Sequence, residues 1–367
     1  MIHRPEQIAG QEGAMMAKRT TREIPTAGGW LGARRSWRWL GAAAVLGVVL
    51  AGGYLVQPWT SQAQAPRTNP DRFASDRGEE SSREKIPAFD GKRAMGYLED
   101  LCAIGPRISG SEGMKKQQDL IEKHFKDLGA KVTFQNFKGK QNSRRSPVDM
   151  ANMVVSFHPD RTRRVILCSH YDTRPIADQE PNPRRWSDPF VSANDGGSGV
   201  ALLMELGHHM KDLSLKVGVD FVFFDGEEYI FEPKQDTYFF GSKHFGKEYA
   251  KNRSKTTYLG AVLLDMVAGK GATFPVEQNS WTRASKLVRE VWNIAAEQRC
   301  AAFTENFSRF AVEDDHIPLN QAGIPAIDII DFDYPHWHRL TDQPKNCSSA
   351  PMEQVARVCA VWIQRVK

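Results

Sequence analysis

Val217-Gly218-Val219-Asp220-Phe221-Val222-Phe223-Phe224-Asp225-Gly226-Glu227-Glu228 is the stretch on which the fold turns. Its first eight residues are mostly β-branched or aromatic and close on Asp-Gly, which reads as a buried strand running into a turn. Two glutamates follow directly. Similar apolar runs occupy 165–168, 261–264 and 324–330. Around them lie stretches with helical spacing: 92–102, 111–128 (with Gly129 as its stop signal), 199–210, 238–250, 282–297 and 352–366. Strand alternating with helix predicts an α/β fold, a three-layer sandwich around a mostly parallel, mixed central sheet.

In such a sheet, chemistry gathers at the carboxyl ends of the strands. After 165–168 comes Ser169-His170-Tyr171-Asp172, and after 261–264 comes Asp265. Trp337-His338 stands a short loop beyond 324–330. Ser192-Ala193-Asn194-Asp195-Gly196-Gly197 precedes the helix at 199–210. Each has an ordinary explanation: a satisfied loop histidine, a cap at Asp195, a solvated turn at Glu227-Glu228, a turn former at Asp265. Five coincidences at strand ends point instead to a metal, and carboxylate with imidazole suits zinc. Adjacent glutamates fit the same chemistry, because one can coordinate the ion while its neighbour stays free to carry protons.

The chain has 367 residues, 41% hydrophobic and 25% charged, the balance of a globular protein. Residues 1–38 hold seven of its 49 basic and three of its 44 acidic residues, so the remainder is nearly neutral. It carries no basic excess of the kind nucleic-acid binders show. Residues 1–38 read as a basic arm ending in Arg34-Arg35-Ser36-Trp37-Arg38, and 39–56 are uncharged. That run is expected to be a signal peptide or membrane anchor, with 57–87 a linker and 88–367 a zinc-dependent catalytic domain. Ala63-Gln64-Ala65 resembles a cleavage site, although Pro66 follows it. With the arginines held inside, the body is expected to be extracytoplasmic: secreted, periplasmic or anchored to the membrane through 39–56. Of five cysteines none forms a CxxC pair. Cys168 reads as a buried apolar residue, and one disulfide among Cys102, Cys300, Cys347 and Cys359 is left open.

On these segments, together with Asp236, Gly241-Ser242 and Asp314-Asp315-His316-Ile317-Pro318, the region 88–367 resembles the M28 metallopeptidase superfamily. Within it, the Asp314 segment and Trp337 beside His338 resemble the glutaminyl-peptide cyclotransferase branch. The resemblance implies a zinc-exopeptidase-like fold and a substrate that is the N-terminus of a peptide or protein. It implies that Asp195, Glu228 and His338 bind one zinc ion, and that Glu227 shuttles the proton. Asp265 and Asp314 would form an acidic network with Glu227, and Trp337 would line the substrate pocket. In two-zinc members of the superfamily, the positions of His170 and Asp265 complete a second site, so two ions stay open. Animal cyclotransferases carry another pocket tryptophan just after the paired glutamates. Here that stretch reads Tyr229-Ile230-Phe231-Glu232-Pro233, so either another aromatic, such as Phe231 or Tyr334, substitutes or the pocket differs. The rival activities are an M28-type aminopeptidase, with Glu227 activating water, and a catalytically silent binding ectodomain.

Overall fold

The computed structural model describes residues 84–86 and 88–367. The basic arm, the uncharged run and nearly all of the linker lie outside the described residues. Among the described residues eight strands are formed: β1 (Lys131–Gly139), β2 (Val148–Phe157), β3 (Arg163–His170), β4 (Gly218–Phe224), β5 (Thr257–Asp265), β6 (Phe274–Val276), β7 (Phe303–Phe307) and β8 (Ala326–Ile330). The helices are α1 (Gly91–Ala103), α2 (Glu112–Asp127), α3 (Gly197–Gly207), α4 (Phe240–Asn252), α5 (Gln278–Glu297), α6 (His316–Gln321) and α7 (Ser349–Arg365). Among the described residues, no helix is long and apolar enough to cross a membrane.

Six strands make the main sheet in the order β1-β2-β4-β3-β5-β8, and β6 pairs with β7 in a small parallel sheet. The joins β4-β3, β3-β5 and β5-β8 are parallel, whereas β2 lies antiparallel to both β1 and β4. Only β2 is reversed, so the sheet is mixed and mostly parallel, as the alternation of strand and helix predicts. Each parallel strand alternates its side chains between two apolar layers. Val165 and Leu167, Phe221 and Phe223, and Val262 and Leu264 join the larger core, whose other wall comes from α1, α2, α3, α5 and α7. Ile166 and Cys168, Val222 and Phe224, and Ala261 and Leu263 face the opposite way, onto Phe245 of α4 and Leu319 of α6.

Local signals explain the helix ends. Ser111 caps α2 by accepting the Met114 amide at 3.2 Å, and the buried face carries Met114, Gln117, Ile121 and Phe125. Gly129, at φ +76°, turns the chain away after α2. The close seat of α3 on the sheet needs a glycine, since a Cβ at Gly199 would lie 2.4 Å from the Leu264 carbonyl oxygen. All five cysteines are buried and free, so the disulfide left open by the sequence is not formed.

Candidate metal centre and active site

The parallel register brings the carboxyl ends of four strands to one edge, pairing His170 with Phe224 and Asp265 with Ile330. His170 and Asp265 therefore face the loops that follow β4 and β8. Two carboxylates shape these loops through backbone amides. Asp172 accepts the Glu227 and Glu228 amides at 3.1 and 3.0 Å, which fixes the turn carrying both glutamates. Asp342 accepts the Asn194 and Asp195 amides at 2.9 and 3.1 Å and also the Tyr334 hydroxyl at 2.9 Å. Asp225 binds the Ser109 hydroxyl and the Ala151 amide and belongs to the fold. Gly196 has no substitute: its φ is +76° and a Cβ would sit 2.7 Å from His170 Cε1.

Asp195, Glu228 and His338 meet at this edge, all buried, each offering an atom within 4.8 Å of the others. His338 Nε2 lies 2.6 Å from Glu228 Oε1 and 3.5 Å from Asp195 Oδ2. Asp195 Oδ2 and Glu228 Oε2 are buried without any donor. Two carboxylates sharing a dry site with unpaired oxygens repel each other unless a cation lies between them. The donor set of two carboxylates and one imidazole is one that zinc accepts with a position left open. His338 adopts φ 51°, a costly backbone for a residue other than glycine, held where its ring faces the carboxylates.

His170 is the hub of the rest. Its Nε2 lies 3.1 Å from Asp195 Oδ1 and 3.3 Å from Asp265 Oδ1, and its Nδ1 lies 3.7 Å from Asp172 and 3.9 Å from Glu227 Oε2. His170, Asp195 and Asp265 also converge closely enough to hold an ion, as do His170, Glu227 and Glu228. Burial opposes charge on His170, but the carboxylates of Asp172, Asp195 and Asp265, as acceptors for its ring protons, lift its pKa well above the usual imidazole range. Burial, then the Glu228 charge, push Glu227 well above the ordinary carboxylate range, with Asp314 and Asp315 adding to the rise. Burial and the Asp265 charge do the same to Asp314. Glu228 goes the other way: burial opposes its charge, yet His338 and Arg174 hold it at about 2. The adjacent glutamates are thus split, one ionised and one proton-loving, the arrangement that separates ligand from acid–base group.

Trp337 is half-buried, stacks on His338 with ring centroids 4.0 Å apart, and meets Phe332 at 5.0 Å. Asp315 accepts the Ser242 hydroxyl at 2.5 Å. The two aromatics named as substitutes for the absent tryptophan do other work. Tyr334 is buried with its hydroxyl on Asp342, and Phe231 packs on Tyr229 beneath the Arg144 guanidinium. Asp236 is a loop brace, binding the amides of Phe231, Glu232 and Ser143.

The family model for peptidase family M28 matches residues 152–363. The chain is 26% identical over 306 residues to the mouse glutaminyl-peptide cyclotransferase-like protein, spanning 76% of each chain. The crystal structure of Fimbriiglobus ruber glutaminyl cyclase is 51% identical, with a TM-score of 0.76, over 77% of this chain and 97% of that one. A Zn-dependent exopeptidase from Parabacteroides distasonis is 30% identical, with a TM-score of 0.70, over 77% of this chain and all of its own.

Proposed function

The chain belongs to peptidase family M28, and from that premise we propose that it is a zinc-dependent glutaminyl-peptide cyclotransferase, which turns an N-terminal glutamine into pyroglutamate and releases ammonia. The observation that carries the reading is the placing of the glutamate pair: Glu228 stands with Asp195 and His338, one oxygen left without a donor, while Glu227 lies beside that trio and outside it, its proton affinity raised by burial and by the Glu228 charge. Asp195, Glu228 and His338 would hold a single zinc ion. An ion held there would supply a Lewis acid for the glutamine side-chain carbonyl and for the charge developing on its oxygen.

Glu227 does the proton work. As the substrate's α-amine nitrogen bonds to the side-chain amide carbon, Glu227 takes the proton that the nitrogen sheds. It returns that proton to the departing amide nitrogen as the C–N bond breaks and ammonia leaves. A carboxyl with raised proton affinity suits both halves of this exchange, and burial with the charges of Glu228, Asp314 and Asp315 keeps it raised. Trp337 forms a flat wall against which the glutamine side chain can be held curled toward its own amine. Because nucleophile and electrophile belong to one molecule, that positioning supplies much of the rate.

The second reading is an aminopeptidase on the same residues, favoured by the likeness to a Zn-dependent exopeptidase. The two activities separate in one experiment. A glutamine-initiated peptide and a leucine-initiated peptide are incubated with the purified protein and weighed by mass spectrometry. Loss of one ammonia from the first, without shortening, is expected; release of free leucine from the second would establish the aminopeptidase. The cellular setting of the proposal is extracytoplasmic, supported by the arginines before the uncharged run 39–56. N-terminal sequencing of exported material, with membrane fractionation, decides between a removed signal and a retained anchor.

A further inference from the structure

Two ligands, His338 and Glu228, are joined into a ring by Arg174 and Asp178, a pair that the activity alone does not call for. Arg174 Nε and one terminal nitrogen grip Asp178 at 3.1 and 2.8 Å. Asp178 Oδ1 lies 2.9 Å from His338 Nδ1. His338 Nε2 lies 2.6 Å from Glu228 Oε1, and that same oxygen lies 3.4 Å from the other terminal nitrogen of Arg174. The ring closes on itself and is dry, with the Arg174 side chain 1% exposed. A buried cation beside a prospective cation site demands a reason, because it competes for the carboxylate the ion needs.

We propose that Arg174 and Asp178 are positioning residues that ready His338 and Glu228 to bind the metal, an inference that rests on the zinc reading above. With its Oδ1 2.9 Å from Nδ1, Asp178 is placed to accept that proton as the ring turns onto the ion, which would fix the tautomer and aim the Nε2 lone pair at the site between Asp195 and Glu228. Arg174 holds Asp178 with two parallel bonds, so the carboxylate cannot swing away from the imidazole. Its remaining nitrogen faces Glu228 Oε1, which leaves Oε2, the buried oxygen without a donor, as the one presented to the ion. Arg174 and Asp178 cancel each other's charge, so Asp195 and Glu228 are left to balance one divalent ion. Tyr238 steadies the guanidinium, with its hydroxyl 3.3 Å from it. Lysine cannot replace the arginine, since an ammonium lacks the planar fork that spans two carboxylates.

The test is zinc affinity, measured on the full chain after chelator dialysis by competition with a fluorescent zinc indicator. Asp178→Asn and Arg174→Lys should each bind zinc roughly 10–100-fold more weakly than wild type. Turnover on a glutamine-initiated peptide should return toward the wild-type kcat when zinc is raised to saturation, a rescue that a merely structural defect would not show. A third variant, Arg174→Met with Asp178→Leu, replaces the pair by apolar groups and guards against misfolding from a lone buried charge. It should bind zinc no worse than the weaker single variant, because the two residues act as one unit. Folded Asp178→Asn protein that binds zinc within twofold of wild type, or single losses that add up in the double variant, would overturn the proposal. Wild-type protein that takes up no zinc would overturn the metal reading and this one with it.

Discussion

The two ends of β4 hold buried carboxylates with opposite fates. Near its start, Asp220 is met by Arg164 at 2.8 and 2.6 Å, by the Tyr258 hydroxyl at 2.7 Å and by the Ser156 hydroxyl at 2.5 Å. Every oxygen has donors, and one cation balances one anion. Just past its other end, Glu227 and Glu228 stand close to Asp195, Asp265 and Asp314, and Asp195 Oδ2 and Glu228 Oε2 find no donor at all. Burial is the same at both ends, and so is the residue chemistry. At these two ends the difference is the donor count: Asp220 has a donor for each oxygen within the protein, and Asp195 and Glu228 each keep an oxygen that a ligand could fill.

Variants at the two ends should break differently. Glu227→Gln should cut turnover by about 10²–10⁴-fold while zinc stays bound, read by peptide mass assay beside metal analysis. Retention of most activity would remove Glu227 from the proton transfer. At the other end, Arg164→Met strands Asp220 and should cost about 3–5 kcal/mol in denaturant unfolding, with kcat/KM per folded molecule unchanged. A large catalytic effect there would erase the contrast between the two ends. His338→Ala should weaken zinc binding beyond the roughly 10–100-fold that outer partners cost, since a direct ligand is removed. Metal content after dialysis checks it.

The smallest effect is the dependence of zinc affinity on pH. Burial, then the Glu228 charge, raise Asp195 to about 7. Burial opposes charge on His338, but Glu228 lifts it to about 9. Zinc must displace both protons, so affinity should fall as pH drops through 9 and more steeply below 7, about tenfold per unit for each proton. The stability of the zinc-stripped chain runs the opposite way with pH. Asp195 is raised above its ordinary 3.8, so its contribution to stability is fully present below that value and lost as pH rises through about 7. An affinity flat from pH 6 to 9 would mean that the carboxylates and His338 are already paired as Asp220 is.

Strands β3, β4, β5 and β8 and six of the helices were legible because each is an unbroken apolar run or a long periodic stretch. Four strands and one helix were not. β1 is partly exposed and mixes Lys, Gln and Asn into its pattern, and β2 carries Asp149, Ala151 and Asn152 where a strand signal needs β-branched residues. β6 and β7 span three and five residues, and α6 has six with Pro318 inside, too few for a period. The ligand types were legible because they follow apolar runs directly. Asp178, Arg174 and Asp342 were missed because they lie in loops and act by touching a ligand's far side or its backbone amide, contacts that no spacing encodes. The place of Tyr334 has the same cause: it is near Trp337 in sequence, but its hydroxyl is drawn inward to Asp342.

The most direct measurement titrates zinc into the chelator-dialysed chain while ammonia release from a glutamine-initiated peptide is followed. Activity should climb from near zero in proportion to zinc and level off at one ion per chain. A plateau at two ions, or full activity with no zinc bound, would contradict the single cation held by Asp195, Glu228 and His338.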